Sequence, residues 1–171
     1  PDNGVRVRLT GGLALSTEEL LSVFEGAKYA SLLSLTLVSI CLLIGLRSLA
    51  LVFATVVTLL CGLIWTAGFA TAAVGHLNLL SVAFAVLFIG LSVDFGIHLA
   101  LRFAEEFRND VDKSKALKIA ARSVGGAMAL SAISAAIGFY AFLPTAYLGL
   151  AELGLISGTS MFIALFMSMT L

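Results

Sequence analysis

The chain has 171 residues, of which 60% are hydrophobic and only 12% are charged, and its mean hydropathy is +1.10. Soluble domains carry roughly twice that charged fraction, so the composition excludes a soluble globular domain and indicates an integral membrane protein. Basic and acidic side chains are equal in number, ten of each, and this balance gives no reason to expect nucleic acid as a partner.

The N-terminal residues 1–15 show the pattern of a short, half-buried strand. Val5, Val7 and Leu9 alternate with polar residues, and two glycines follow them. An apolar residue at every second position is typical of a strand with one buried face. We interpret residues 1–15 as a β-strand remnant at the end of an extramembrane, porter-like domain. Because the chain begins without Met and ends within an apolar run, we expect it to be a fragment of a longer polypeptide.

A helix is predicted to follow directly, over residues 16–46. Ser16 and Glu19 have the spacing of a capping box, in which each side chain satisfies a free amide at a helix start. The charge-free run Tyr29–Leu46, with the turn before it, has the roughly 20 residues that a membrane span needs. The sequence therefore predicts a capped helix that continues into the first span.

Four more apolar segments have the length of a membrane span. They are predicted at residues 49–74, 78–102, 123–143 and 149–171. Between the third and fourth spans, residues 103–122 carry charges opposite an apolar stripe, which is typical of an amphipathic helix on the membrane surface. The predicted fold is therefore an all-α membrane protein with five transmembrane helices.

The basic residues predict the orientation of these spans. Arg47 lies in one connection and six further Lys and Arg residues lie in or beside residues 102–122, whereas the alternate connections contain none. The positive-inside rule places both basic segments in the cytoplasm. The N-terminal segment is then on the outer side, which in a bacterium is the periplasm.

The third span contains an acid, Asp94, about four residues or roughly 6 Å beyond its centre. A charged Asp at that depth costs about 2.5 to 3.5 kcal/mol on insertion scales, and such groups usually serve a function. We interpret Asp94 as a proton-relay residue. The alternative is a permanently neutral acid that only bonds a neighbouring helix.

Three other polar positions are candidates for the same relay. His98 lies one turn from Asp94 on the same helix face, where it would either pass protons or fix helix packing. Ser131 and Ser134 in the fourth span would either bond the acid or belong to a generic small-residue packing surface. We also expect close helix packing at five glycines: Gly90, Gly96, Gly138, Gly154 and Gly158. No metal site and no cofactor are predicted.

The stretch Gly90–Leu99, followed by Arg102–Glu106, resembles the fourth-helix signature of RND-superfamily transporters of the MMPL and Patched-like branch. The stretch Ser131–Phe139 resembles the fifth helix of that branch. The chain as a whole is most similar to the second to sixth helices of one half of the hopanoid-biosynthesis-associated members. In one departure, Phe95 stands where many mycolic-lipid exporters have Tyr, and Phe cannot relay a proton.

This resemblance implies a proton-driven transporter, not an enzyme, in the inner membrane of a bacterium. It implies that Asp94 is the relay acid of one half and that a second half of the same polypeptide packs against it. The expected partners are protons and a hopanoid or another hydrophobic lipid, and a homo-oligomer is compatible with the resemblance. The cargo would be exported toward the periplasm or outer membrane.

Two other classes of membrane protein compete with this interpretation. A sterol-sensing-like module would bind lipid through the same helices without pumping it, and the ionisable acid favours transport over that role. An intramembrane aspartyl protease needs two acids at membrane depth with Gly before the second, whereas here only Asp94 is present and Val93 precedes it.

Overall fold

The computed structural model describes residues 12–75, 84–108 and 112–170, and these residues form five α-helices. The helices are α1 (Gly12–Leu46), α2 (Leu49–Val74), α3 (Phe84–Phe107), α4 (Lys113–Tyr140) and α5 (Leu148–Thr170). Each is long and apolar enough to cross a membrane, in α1 over Glu25–Leu46. For the described residues, the prediction of an all-α protein with five helices of spanning length is therefore confirmed.

The N-terminal end differs from the prediction. Residues 1–11 of the expected strand lie outside the described residues, and residues 12–15 are helical, so the described part of the chain gives the strand no support. The helix begins at Gly12, and Ser16 and Glu19 therefore lie within α1 and not at its start. Leucine and alanine at positions 13–15 are good helix formers, and extending a helix is far easier than starting one.

The charged segment between the third and fourth spans also differs from the prediction of a separate surface helix over residues 103–122. Helix α3 continues to Phe107, and α4 begins at Lys113 and runs unbroken to Tyr140. Ala116 and Ala120, one turn apart, are fully buried. The first turns of α4 therefore pack into the bundle, because these two small residues let a neighbouring helix approach closely.

The connections are short where the structure describes them. Arg47 and Ser48 alone join α1 to α2, and Arg47 has a positive φ of 49°. Helix α2 ends at Gly75 in the left-handed region, with φ of 80°, and the Gly75 N–H donates to the Thr71 carbonyl at 3.1 Å. Glycine suits this position because it has no Cβ to clash. The rest of the predicted turn, residues 76–78, lies outside the described residues.

Helix α3 is the centre of the bundle. Among the described residues it contacts all four other helices, whereas α1 packs against α2 and α3 only. Three apolar clusters hold α3 in place: one with α1 and α2, one with α4 and α5, and one with α2 and α5. A movement of α3 would therefore change its contacts with all four of the other helices.

Helices α4 and α5 meet through two glycines of α5. A Cβ built on Gly154 would lie 2.6 Å from the Phe139 carbonyl oxygen, and one built on Gly158 would overlap the ring of Tyr140. The Tyr140 hydroxyl lies 3.0 Å from Thr159 Oγ1. These contacts fasten the end of α4 to the first half of α5.

We expect Tyr140→Phe to weaken this junction modestly. The ring that covers Gly158 is kept, while the hydrogen bond to Thr159 is lost. Hydrogen bonds between membrane helices contribute about 0.6 kcal/mol on average, and we expect a loss of about that size in the free energy of unfolding of the full-length protein. A double-mutant cycle with Thr159→Val checks the assignment. Strictly additive effects of the two substitutions would show that the pair does not interact.

Candidate functional site

Asp94 lies close to the middle of the 24-residue helix α3, on the face that the other described helices leave open. Its neighbours Val93 and Phe95 are buried in the bundle, whereas Asp94 is exposed. Apart from Phe107 at the end of the helix, the exposed positions of α3 recur every three or four residues and form one continuous stripe: Leu87, Gly90, Asp94, His98, Leu101 and Glu105. This stripe, the open face of α3, carries the acid and the histidine together.

A groove next to this open face brings three of the predicted relay residues together. It has a volume of about 230 Å³ and is bounded by α3, α4 and Met161 of α5. Asp94 and His98 line it from α3, and Ser131 lines it from α4. The other lining residues are apolar: Leu91, Phe95, Val124, Ala127, Met128, Ala135 and Met161. An acid, an imidazole and a hydroxyl thus share one apolar groove.

Ser134 does not line this groove and is exposed on α4. Gly90 lies on the open face of α3, and a Cβ at Gly90 or Gly138 would meet no described neighbour within 4 Å. Gly96 faces the opposite way, where an added Cβ would overlap the Thr55 methyl group of α2. The structure thus brings Gly96, Gly154 and Gly158 against neighbouring helices and leaves the other two glycines open.

The charge of Asp94 has no fixed counterion among the described residues. Its carboxylate has no hydrogen bond or salt bridge there, and the basic group next along its helix face is His98, one turn away. Arg102, one turn further, bonds Glu105 and Glu106 of its own helix, each at 2.6 Å. Arg102 is therefore paired within the last turns of α3 and not with Asp94.

The opposite side of α3 carries buried hydroxyls that the sequence reasoning did not select. Ser92 Oγ donates to the Phe88 carbonyl at 2.5 Å. On the facing helices, the Thr55 and Ser168 hydroxyls each donate to the carbonyl four residues earlier in the same helix, at 2.9 and 2.8 Å. Each hydroxyl proton is therefore engaged within its own helix. In the sequence they appear only as single hydroxyl residues within apolar runs, and such residues are also common in ordinary membrane helices.

The sequence is similar to known proteins over nearly its whole length. It is 44% identical to the hopanoid transporter HpnN of Burkholderia multivorans, over 98% of this chain and 19% of that protein. It is 43% identical to the hopanoid transporter HpnN of Rhodopseudomonas palustris, over 99% of this chain and 20% of that protein. A membrane protein of Methanocaldococcus jannaschii is 28% identical over 88% of this chain and 39% of its own length.

The chain thus spans about a fifth of the length of the two hopanoid transporters that it matches. All of residues 1–171 match the MMPL family, in agreement with the resemblance carried by the stretch around Asp94. Five apolar helices of spanning length fit a multi-pass membrane protein. From its sequence and its helices, this chain belongs to the MMPL family.

Proposed function

We propose that this chain is part of a proton-driven transporter that exports a hydrophobic or amphiphilic, hopanoid-like lipid from the inner membrane toward the periplasm or outer membrane. The observation that carries the proposal is the shared groove of Asp94, His98 and Ser131, in which an acid without a fixed counterion faces an otherwise apolar surface. The cargo class rests on the two relatives of 44% and 43% identity, which are named hopanoid transporters.

In this proposal, Asp94 takes up a proton from the outer side and releases it to the cytoplasm through His98. The charged and neutral forms of Asp94 differ in their preference for water and for apolar surroundings. Each change of charge therefore alters how α3 fits against α4 and against whatever covers its open face. A proton that moves down a potential of 100 mV supplies about 2.3 kcal/mol, which is enough to shift a balanced helix arrangement about fiftyfold.

The open face of α3 is where a second half of the same polypeptide would pack. Gly90 and Asp94 lie next to each other on that face, and none of the described helices occupies the space beside Gly90. A glycine one turn from the acid allows the backbone of a partner helix to approach Asp94 closely. This arrangement supports a relay shared between two halves.

The orientation belongs to the same proposal. Exposed basic residues lie at the end of α3 and in the first turns of α4, including Arg108, Lys113, Lys115 and Lys118. The positive-inside rule places this end of the bundle in the cytoplasm. His98 then lies on the cytoplasmic side of Asp94, and the N-terminal segment lies in the periplasm.

The test is lipid transfer by the full-length protein in reconstituted vesicles. A hopanoid is loaded into donor vesicles, a proton gradient is imposed, and the hopanoid that reaches acceptor vesicles is measured. We expect transfer that depends on the gradient and stops when an ionophore collapses it. Hopanoid binding without any net transfer would contradict export and favour a sterol-sensing-like, regulatory module.

His98→Gln is expected to slow gradient-driven transfer about tenfold without abolishing it. Glutamine keeps a polar side chain in the groove but cannot take up and release a proton near neutral pH. A positioned acid–base group typically contributes about 10² to 10⁴-fold, and water in the groove would replace part of that contribution. The measurement is the initial transfer rate, with Ser134→Ala as the control because Ser134 lies outside the groove. A His98→Gln rate equal to that of the control would assign His98 to helix packing.

A further inference from the structure

A second, larger groove lies on the other side of α3. It has a volume of about 480 Å³ and is bounded by the first turns of α2 and α4 and the last turns of α3 and α5. Leu51, Leu99, Phe103 and Leu117 supply apolar walls, and Lys113 also lines the groove. Four further lining residues have hydroxyls that donate to carbonyls of their own helices: Thr55, Thr58, Ser168 and Thr170. None of the residues that line the groove of Asp94, His98 and Ser131 lines this second groove. We call it the Lys113 groove.

The length of α4 indicates where this groove lies relative to a bilayer. A helix of 28 residues is about 42 Å long, whereas the hydrocarbon core of a bilayer is about 30 Å thick. The C-terminal half of α4 is apolar, so the excess length belongs to the charged N-terminal turns. Lys113 then lies at the level of the lipid headgroups, while Leu117 and Ala121, one and two turns further on, lead toward the hydrocarbon.

The charges around the mouth of the groove favour an anion. Lys113, Lys115 and Lys118 are exposed on the first turns of α4. Of the acids described there, Glu105 and Glu106 pair with Arg102, and Asp112 keeps its charge while it accepts the Ser114 N–H at 3.3 Å. The three lysines and Arg102 outnumber these three acids. Each Lys or Arg near a membrane surface contributes about 1 kcal/mol to the attraction of anionic lipids.

We infer that the Lys113 groove binds one anionic glycerophospholipid of the membrane. Its phosphate lies at the Lys113 ammonium and the Ser114 hydroxyl, and one acyl chain lies between the apolar side chains of α2, α3 and α4. The other acyl chain remains in the bilayer. A lipid held in this way would contact the start of α4 and also α2 and α3. It lies at the end of the bundle opposite the N-terminus of α1. The inference does not depend on transport.

The test uses the full-length protein in a neutral detergent with phosphatidylglycerol or phosphatidylcholine of the same acyl chains. Binding is followed by the rise in melting temperature and by the number of lipids retained in native mass spectrometry. We expect phosphatidylglycerol to raise the melting temperature and to be retained, and phosphatidylcholine to have little effect. Equal effects of the two lipids would overturn the inference, because an apolar groove alone would explain them.

Lys113→Gln and Lys115→Gln form a matched pair. Both residues are exposed in the first turns of α4 and both changes remove one positive charge, but Lys113 lines the groove and Lys115 does not. We expect Lys113→Gln to weaken phosphatidylglycerol binding about fivefold, the effect of losing one favourable charge of about 1 kcal/mol, and Lys115→Gln to weaken it less than about twofold. Equal losses in the two variants would show diffuse charge attraction and no site.

Filling the groove provides a second, independent variant. Ala121→Phe places a ring among the apolar lining residues, and we expect it to abolish retention of phosphatidylglycerol while transport remains measurable. Undiminished retention in this variant would overturn the inference. Failure of lipid transfer in the vesicle assay, with phosphatidylglycerol binding intact, would count against the proposed transport function and not against this site.

Discussion

Asp94→Asn is expected to reduce gradient-driven lipid transfer by the full-length protein roughly 100-fold or more, to the level of protein-free vesicles. The amide has nearly the shape of the carboxyl but cannot release a proton at any physiological pH. The groove would therefore keep its size while losing the one acid that faces it. Initial transfer rates with and without an imposed gradient measure the effect.

The fold should survive this change, because Asp94 has no hydrogen bond or salt bridge to any described residue. Asp112→Asn is the matched control: it makes the same chemical change at an acid that caps α4, outside the groove. Asparagine caps a helix about as well as aspartate, so the control should fold and transport normally. Asp94→Glu, which keeps a titratable group, should retain part of the activity. Wild-type transfer by Asp94→Asn would exclude Asp94 from the proton path.

Gly154→Ala is expected to destabilise the full-length protein by about 1 to 3 kcal/mol, the usual effect of forcing an extra carbon into a well-packed contact. The new Cβ would lie 2.6 Å from the Phe139 carbonyl oxygen and 3.0 Å from Phe142 Cβ. A backbone oxygen cannot rotate away as a flexible side chain would. The relief must come from a separation of α4 and α5, which the free energy of unfolding in a denaturing detergent would report.

Gly90→Ala is the matched control for this substitution. It also adds one methyl group to a helix, but at a position where the added carbon would meet no neighbour within 4 Å in the described part of the chain. We expect the five helices to tolerate it. If a partner helix lies against the open face of α3, Gly90→Ala should instead slow transport in the full-length protein. A Gly154→Ala protein as stable as Gly90→Ala would show that α4 and α5 do not pack closely at Gly154.

The lengths of the apolar runs were enough to predict five helices of spanning length. Residues 49–74 were predicted as a span, and α2 has the same bounds. The prediction succeeds because a membrane span is a local property: about 20 apolar residues suffice, whatever their neighbours are. The acid was found for a related reason, since an ionised side chain in hydrocarbon is costly and therefore conspicuous in an apolar run.

The tertiary structure decided which face of each helix is used. Small residues suit a lipid-facing surface and a helix contact equally well, so the sequence could not separate Gly90, which faces open space, from Gly154, which touches the backbone of α4. For the same reason it could not predict that Ser131 would line the groove and Ser134 would not.

The start of α4 shows the same limit. Its charged pattern fits a separate helix on the membrane surface, yet Ala116 and Ala120 are fully buried and the segment is continuous with the rest of α4. Periodicity along a chain specifies that a stripe is apolar, but not what covers it. The rotation of each helix in the bundle settles that question, and it leaves Asp94 and His98 together on the open face of α3.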